Sequence, residues 1–296
     1  MSFTTDVCEE LVTLNTSKNC CKKALLCGLF FNAETVGEKC VRATFKNAHS
    51  AEYTAFLLES RYSAPSEIEE TARAGRVYYT VTSECPSIFK LLCAIDSTDT
   101  RAPWELLDFK CGSCRASFLR GAFISTATLS DPKKSYYLEF SLQNEARINR
   151  LAHMLETTVG APKRVARGKN TGLYYKSNGD VAGIVNYIGG TKASFDVANT
   201  WVERDIRNNE NRATNCVARN ISRAVDASQK HINAIEALKA SGRFEALSEE
   251  LKMTAELRLE YDSASLSELA LLHEPPISKS GLNRRLAKIL EAAEEI

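Results

Sequence analysis

Hydrophobic residues recur along the chain with two different spacings, and these spacings outline the predicted secondary structure. Polar and apolar side chains alternate in residues 39–45, and residues 76–81 are rich in aromatic and β-branched side chains, so both segments are predicted strands. The polar residues between them are predicted to be helical. In residues 145–158 the apolar side chains lie three or four positions apart, which also predicts a helix. Residues 1–190 are therefore predicted to form an α+β domain.

This domain contains the same arrangement twice. Each copy opens with a cysteine-marked helix that has a glycine inside it. A glycine within a helix costs about 1 kcal/mol relative to alanine, so Gly28 and Gly121 are predicted to lie where two helices cross backbone to backbone. The copies, residues 1–105 and 106–190, are each predicted as helix, strand, strand, helix, strand, helix (αββαβα). Together they predict one domain with pseudo-twofold symmetry.

The helical spacing continues through residues 226–296, which are predicted to form an all-α domain. Ser265 is followed three positions later by Glu268, the pattern of a capping box at the start of a helix. A pair of prolines ends that helix because proline has no amide hydrogen to donate, and Ser278 is predicted to cap the next one. Two successive helices joined by a short turn are compatible with a helix-turn-helix or with an ordinary helical bundle. The predicted helices are residues 224–240, 244–261, 266–272 and the residues from Ser278 onward.

The last predicted helix has an apolar face and a basic face. Leu282, Leu286 and Ile289 are spaced to face inward. Asn283 and Arg284 lie opposite and are predicted to contact base edges in a major groove, because asparagine pairs with adenine and arginine with guanine. The alternative is an ordinary helical bundle with a solvated basic face. The predicted DNA contacts, including a phosphate contact by Arg285 near the core, are Ser278, Lys279, Ser280, Asn283, Arg284, Arg285 and Lys288.

A basic, asparagine-rich segment, residues 191–225, is predicted to connect the two domains. Residues 201–225 contain five arginines and five asparagines but only three acidic residues. Arginine and asparagine side chains donate hydrogen bonds to phosphates and base edges, so the segment is predicted to position the domains on DNA. The alternative is a solvated helix with internal hydrogen bonds. The predicted contacts are Arg204, Arg207, Arg212, Asn215 and Arg219.

Composition restricts the classes of function. A chain of 296 residues with 44% hydrophobic and 25% charged residues is typical of a globular protein of about two domains. The net charge of +1 gives no overall attraction to nucleic acids, so DNA affinity must come from a local basic surface. The first residues lack the pattern of a signal peptide, and no apolar run reaches about 18 residues. We therefore expect a cytoplasmic protein with no membrane partner and no small-molecule substrate.

The ten cysteines are predicted to be reduced thiols in such a protein. Cys111 and Cys114 have the spacing of metal ligands, but a zinc site normally needs a second pair with that spacing, and the sequence has none. The adjacent Cys20 and Cys21 could complete a set, although adjacent cysteines seldom do. The sequence therefore favours buried or idle thiols over a metal or redox site, and no cofactor is predicted.

Several motifs together resemble the WhiA family of bacterial sporulation and cell-division regulators. The two glycine helices are similar to the LAGLIDADG motif of homing endonucleases. Residues 118–123, 129–132 and 137–139 resemble WhiA more closely, and residues 211–220 and 275–286 are its most specific motifs here. The resemblance covers residues 20–290. It implies an endonuclease-like N-terminal domain, a linker, and a helix-turn-helix similar to that of sigma-factor region 4.

This resemblance implies a sequence-specific transcription regulator that binds double-stranded promoter DNA and acts in cell division, sporulation or chromosome segregation. RNA polymerase holoenzyme is an expected partner on family grounds alone. Two alternatives stay open: an architectural protein of the nucleoid, and an active homing-type endonuclease. Near-equal affinity for random DNA would favour the architectural alternative.

An active endonuclease of this fold needs an acidic residue at the foot of each glycine helix, where the pair binds a divalent metal ion. When the helices are aligned on their glycines, these positions are Ala33 and Thr126, and neither is a carboxylate. Glu34 is displaced by one residue and Asp131 by five. The sequence therefore predicts no nuclease activity. The remaining fold would bind DNA through its sheet or serve as a dimerisation or partner-binding platform.

Overall fold

The computed structural model describes residues 2–37, 39–73, 75–97, 105 and 107–294. The chain divides into two compact units, Met1–Arg204 and Asp205–Ile296. None of the helices in these described residues combines the length and the apolar character that crossing a bilayer requires.

The first unit contains one run of elements twice, after an initial helix α1 (Phe3–Val12). The first copy consists of α2 (Asn19–Leu29), β1 (Glu34–Val36), β2 (Cys40–Phe45), α3 (Ala48–Tyr62), β3 (Ser66–Arg73), β4 (Arg76–Ser83) and α4 (Pro86–Asp96). The second copy consists of α5 (Ser113–Thr126), β5 (Ala127–Leu129), β6 (Leu138–Leu142), α6 (Glu145–Glu156), β7 (Lys163–Arg167), β8 (Asn170–Tyr175) and α7 (Asn178–Tyr187).

The two copies have the same sheet topology. In the described residues each forms a four-stranded antiparallel sheet, with the orders β1-β2-β4-β3 and β5-β6-β8-β7. The predicted duplicated α+β domain is therefore confirmed. The predicted αββαβα order of each half was wrong, because each half contains one more strand and is αββαββα.

The strands that the sequence missed, β3 and β7, lie at sheet edges. Every side chain of β3 is partly or fully exposed, so neither face buries a set of apolar residues and the period of two that marks a strand is missing. Its strand state follows instead from pairing with β4 along its whole length, from Ser66 opposite Ser83 to Arg73 opposite Arg76. A polar sequence of this kind looks helical until its partner strand is known.

Helices α2 and α5 form the centre of the first unit and cross at their glycines, as predicted. A Cβ atom on Gly28 would lie 2.1 Å from the carbonyl oxygen of Phe118, and one on Gly121 would lie 2.2 Å from the carbonyl oxygen of Leu25. Both distances are far inside van der Waals contact, so only glycine allows this approach. Large side chains fill the space around the crossing, and the rings of Phe31 and Phe118 meet edge to face at 5.1 Å.

The predicted connecting segment, residues 191–225, lies within one helix, α8 (Thr191–Ala240), which contains the boundary between the units. The second unit continues through a 3₁₀ turn (Arg243–Ala246) to α9 (Glu249–Glu260), α10 (Leu266–Leu271) and α11 (Lys279–Glu294). The single helix predicted for residues 244–261 was therefore wrong. Leu247 and Ser248 adopt extended backbone conformations, which separate the 3₁₀ turn from the helix.

Candidate nucleic-acid interface

Helices α10 and α11 form the predicted helix-turn-helix, and their inward faces are the predicted ones. Leu269 and Ala270 of α10 are buried, as are Leu282, Leu286 and Ile289 of α11. They belong to one apolar cluster with Ile235 of α8 and Ala255 of α9. This core fixes which face of α11 remains available to a ligand.

Side-chain caps fix where both helices begin. The Ser265 amide donates to Glu268 Oε2 at 2.8 Å and the Glu268 amide donates to Ser265 Oγ at 3.3 Å, which confirms the predicted capping box. The hydrogen bond from the Ser265 backbone also lowers the pKa of the Glu268 carboxyl. At the start of α11 the Gly281 amide donates to Ser278 Oγ at 3.1 Å. The predicted cap at Ser278 is therefore confirmed.

The outward face of α11 presents polar and basic side chains to solvent. Asn283, Arg284 and Lys288 are exposed and make no hydrogen bond or ion pair with any residue that the structure describes. Lys279 and Ser280 are likewise exposed at the N-terminal end of the helix, beside Ser278. These are side chains that sequence analysis assigned to DNA. Ser278 Oγ and Ser280 Oγ lie 3.1 Å apart and hydrogen-bond to each other, whereas the asparagine and the basic side chains of this exposed surface have no such partner among the described residues.

Arg285 differs from its neighbours on α11. Its Nη2 atom lies 3.1 Å from Glu250 Oε2 on α9, and its side chain is 23% exposed. The ion pair joins α11 to α9 and competes with the predicted phosphate contact, which stays a prediction.

Two buried polar residues that the sequence analysis missed hold the helix-turn-helix in place. His273, after α10, accepts or donates at both ring nitrogens: Nδ1 lies 2.9 Å from the Leu269 carbonyl oxygen and Nε2 lies 3.0 Å from Thr254 Oγ1. Arg258, only 2% exposed, donates from Nη1 to the Ala264 carbonyl at 2.8 Å. Burial lowers the pKa of Arg258. Its position three residues after the inward-facing Ala255 was the available signal.

The basic residues of α8 do not all have the same surroundings. Arg207, Arg212, Asn215 and Arg219 are exposed, and so is every residue from 205 to 227. Arg204 instead donates to the Lys133 carbonyl oxygen and its guanidinium lies 5.3 Å from the centre of the Tyr136 ring, within the first unit. This packing competes with the predicted phosphate contact of Arg204, which stays a prediction, and the other four residues are exposed.

The feet of the two glycine helices are closed to ligands. Ala33 and Thr126 are buried, and the Thr126 hydroxyl donates to the Ala122 carbonyl oxygen at 2.6 Å. The small cleft beside them is lined by neutral and oppositely charged groups: Leu29, Asn32, Glu34, Arg42, Thr44 and Ser125. No group of three or more carboxylate, imidazole or thiol ligands forms there among the described residues.

Cationic side chains from the opposite half contact the carbonyls at each foot. Arg147 of α6 donates from Nη1 to the carbonyl oxygens of Phe31 and Ala33, at 3.0 and 2.7 Å, and forms a two-point ion pair with Asp96 at 2.7 Å. Lys46, after β2, donates to the Ala127 carbonyl at 3.2 Å and to Thr128 Oγ1 at 2.8 Å. Desolvation of the ammonium group lowers the pKa of Lys46.

The two edge strands carry opposite charge. Strand β3 has three glutamates and one arginine, a net charge of −2, and strand β7 has one lysine and two arginines, a net charge of +3 with no acidic residue. Their charged side chains are all exposed. The two halves therefore have the same topology, but their edge strands carry net charges of opposite sign.

The structure also corrects the prediction for the cysteines. The sulfur atoms of Cys20, Cys21, Cys111 and Cys114 all lie within 4.8 Å of one another. The expectation that the adjacent pair would not join the spaced pair was wrong, because α2 and α5 run side by side and bring their N-terminal ends together.

Comparison with known proteins identifies two family models. Residues 211–293 match the WhiA C-terminal HTH domain, and residues 115–207 match the WhiA LAGLIDADG-like domain. The chain is 31% identical to the "Probable cell division protein WhiA" of Alkaliphilus metalliredigens, with 99% of this chain and 98% of that protein aligned. It is 29% identical to the protein of the same name from Caldicellulosiruptor saccharolyticus, with 100% and 96% aligned. The helix-turn-helix match supports DNA binding by the second unit.

Solved structures show the same fold. The crystal structure of full-length WhiA from Thermatoga maritima matches with a TM-score of 0.63 at 23% identity, and the match covers 100% of this chain and 99% of that one. The N-terminal LAGLIDADG domain of WhiA matches with a TM-score of 0.52 at 21% identity, over 64% of this chain and 90% of that one.

Proposed function

The chain belongs to the WhiA family, and on that premise we propose that it is a sequence-specific DNA-binding transcription regulator that acts in cell division. The observation that carries this proposal is the exposed face of α11, where Asn283, Arg284 and Lys288 are free of partners among the described residues. Asparagine and arginine are the side chains best suited to two-point contacts with adenine and guanine in the major groove. The name of the relatives supports the cellular process.

We propose that phosphate contacts lie on either side of the exposed face of α11. Lys279 and Ser280 lie at the N-terminal end of α11, where the helix dipole and free amides favour an anion. Arg207, Arg212 and Arg219 of α8 add sequence-independent attraction, which should make binding dependent on salt. These residues position the protein on the duplex and the two α11 side chains select the sequence.

The second half of the first unit is better suited to contact DNA than the first half. The acidic edge strand β3 repels phosphate, whereas Lys163 of β7 attracts it. Arg164 and Arg167 of β7 form ion pairs with Glu145 and Glu139, which offset part of their charge. Symmetric binding of DNA by both sheets of the first unit is therefore disfavoured. A platform for a protein partner such as RNA polymerase is the competing use of this unit, and it is proposed on family grounds.

The protein is proposed to have no nuclease activity. Ala33 and Thr126 supply no carboxylate, and Arg147 and Lys46 bring positive charge to the positions where a metal-bound active site would need anionic ligands. Supercoiled plasmid containing an occupied promoter is expected to stay intact with Mg²⁺ or Mn²⁺. Specific cutting would contradict the proposal.

The test of the regulator function is genome-wide occupancy by chromatin immunoprecipitation, with Asn283→Ala/Arg284→Ala compared to the unaltered protein. Each two-point base contact provides about 1–3 kcal/mol of discrimination, so promoter peaks should fall at least about tenfold. The matched control is Lys230→Ala/Asn233→Ala, which removes one cation and one asparagine from exposed positions of α8 in the same unit. It should keep the peaks.

Each outcome separates the alternatives. Discrete peaks that vanish only in the α11 variant support the proposal. Peaks that persist in this variant place base recognition elsewhere and contradict it. A diffuse signal from the unaltered protein would favour the architectural alternative, because specific binders usually prefer their sites by about 10³ or more.

A further inference from the structure

Four thiols from distant parts of the sequence meet at the N-terminal ends of the paired central helices. Cys20 and Cys21 lie in the first turn of α2, Cys114 lies in the first turn of α5, and Cys111 precedes α5 by two residues. Cys21 and Cys114 are buried, and Cys20 and Cys111 are half-buried. The cluster therefore has an interior side and a side close to the surface.

The spacing of the sulfur atoms matches tetrahedral coordination of a single ion. Cys111 Sγ lies 3.7 Å from Cys20 Sγ, 3.5 Å from Cys21 Sγ and 3.5 Å from Cys114 Sγ. A zinc ion with four Zn–S bonds of about 2.3 Å sets its sulfurs about 3.8 Å apart, which is the edge of a tetrahedron of that size. The other three sulfur–sulfur distances are at most 4.8 Å, so the four sulfurs are close enough to surround one ion.

Other uses of four thiols fit these distances less well. A disulfide requires two sulfurs about 2.05 Å apart, and the contacts here are much longer. In a [4Fe–4S] cluster each thiolate binds a different iron atom, and in a [2Fe–2S] cluster two pairs of thiolates bind different iron atoms, so the thiolates on different irons stand farther apart than ligands of one ion. Four ligands within 4.8 Å of one another therefore indicate a mononuclear site.

We infer that Cys20, Cys21, Cys111 and Cys114 bind one Zn²⁺ ion in a closed tetrathiolate site. Tetrahedral coordination by four sulfurs favours zinc over hard cations such as Mg²⁺. All four positions are taken by protein, which leaves none for water or substrate, so the site is structural. It joins the first half of the first unit to the second at the N-terminal ends of α2 and α5.

The surroundings suit the negative charge of such a site. Four thiolates and one Zn²⁺ carry a net charge of −2, and the N-terminal ends of two helices, which carry partial positive charge, meet at the sulfurs. Helix N-termini favour thiolate over thiol.

The experiment is metal analysis of the full chain, produced with added zinc sulfate and purified without chelator. We expect one zinc per chain by elemental mass spectrometry. Cys111→Ser/Cys114→Ser should lower the zinc content at least tenfold. The matched control, Cys93→Ser/Cys216→Ser, removes two exposed cysteines outside the cluster and should retain the zinc.

A second measurement on the unaltered chain covers the case in which the serine variant fails to fold. Zinc is replaced by Co²⁺, and the absorption spectrum should show the sulfur-to-cobalt charge-transfer and d–d bands of a tetrahedral tetrathiolate. Removing the zinc with chelator should lower the melting temperature by roughly 10 °C, because structural zinc contributes directly to folding.

Several results would overturn the inference. These are a chain free of zinc whose melting temperature does not respond to the metal, zinc retained after both serine substitutions, and a cobalt spectrum typical of octahedral oxygen coordination. One iron per chain instead of zinc would overturn the choice of metal. A mass lower by two hydrogen atoms, which indicates one disulfide, would overturn the inference if no metal is bound. Two of the cysteines would then form a redox pair instead of a metal site.

Discussion

The two ends of the paired helices α2 and α5 are surrounded by different side chains: thiols at the N-terminal ends and cations at the C-terminal ends. At the N-terminal ends four thiols come together, and partial positive charge from two helix dipoles faces the sulfurs. At the C-terminal ends, where an endonuclease of this fold requires carboxylates, Arg147 and Lys46 donate to backbone carbonyls instead. The C-terminal ends therefore meet charge of the sign that stabilises a helix dipole, and the thiolates of the proposed zinc site would supply the matching negative charge at the N-terminal ends.

This difference separates the stability of the scaffold from the requirements of catalysis. A nuclease site has to hold carboxylates at the negative ends of two helix dipoles and relies on a bound cation to offset the repulsion. With Ala33 and Thr126 at those positions the requirement is absent, and side chains from the opposite half neutralise the ends directly. Both ends depend on the close approach of the helices at Gly28 and Gly121.

The largest effect is expected from Gly28→Ala, which breaks the pairing on which both ends depend. The added Cβ would lie 2.1 Å from the Phe118 carbonyl oxygen and 2.7 Å from the Ala122 amide nitrogen, both backbone atoms that cannot move alone. The free energy of unfolding of the first unit should fall by at least about 3 kcal/mol, the upper range for overpacking. Urea denaturation followed by tryptophan fluorescence measures it, because both tryptophans lie within residues 1–204.

The control for this substitution is Gly183→Ala in α7. Gly183 also lies inside a helix, but a Cβ atom there meets no atom within 4 Å. The change should leave stability unaltered or raise it by up to about 1 kcal/mol, the helix propensity of alanine relative to glycine. If Gly28→Ala were as mild as Gly183→Ala, the backbone contact of α2 and α5 at Gly28 would be contradicted.

A smaller loss is expected from Arg147→Met, which removes the cation from the foot of α2. The change leaves the carbonyls of Phe31 and Ala33 without their donor and Asp96 without its partner. The Asp96 side chain is 31% exposed, so water compensates part of its charge. The same urea titration should show a loss of about 2–3 kcal/mol.

An exposed arginine near the same helix gives the control. Arg164 of β7 lies 3.7 Å from Glu145 of α6, with side chains 49% and 70% exposed. Arg164→Met should change stability by less than about 0.5 kcal/mol, as for most surface ion pairs. If Arg147→Met were equally mild, the contacts at the foot of α2 would not stabilise the fold.

The features that the sequence predicted are those with local signals. Gly28 and Gly121 stand out because glycine is unfavourable inside a helix, and the inward face of α11 follows from the spacing of Leu282, Leu286 and Ile289. The caps at Ser265 and Ser278 need only residues within three positions. Such patterns can be recognised without any knowledge of the tertiary structure.

The features that the sequence missed depend on partners far along the chain. Cys21 and Cys111 are 90 positions apart, and Arg147 and Phe31 are 116 apart. The edge strand β3 has its partner nearby, but its exposed side chains give no period to detect. Whether a cysteine is a ligand or an arginine caps a helix is decided by which elements pack together, and a single sequence carries no direct record of that packing.

The smallest effect is expected from Lys46→Met, at the foot of α5. The substitution loses hydrogen bonds to the Ala127 carbonyl and to Thr128 Oγ1, worth about 1 kcal/mol. It also removes the cost of desolvating the ammonium group, which is the main cause of the lowered pKa of Lys46, ahead of the charges of Cys8, Arg76 and Glu139. Because the residue remains exposed overall, solvent screening keeps the net change below about 1 kcal/mol at pH 7.

The pH dependence of stability separates the effect of the Lys46 charge from the effect of its hydrogen bonds. Since the pKa of Lys46 is lower in the folded chain than the ordinary value of 10.5, the unfolded chain binds this proton more tightly. The stability of the unaltered protein relative to Lys46→Met should therefore rise as the pH increases through the folded pKa towards 10.5. The stability of the unaltered protein relative to Lys46→Arg should rise with the same slope, because arginine keeps its charge throughout this range. A difference that falls with pH in both variants would mean that attraction to neighbouring anions outweighs desolvation, and that the foot of α5 favours the cation more strongly than its surroundings indicate.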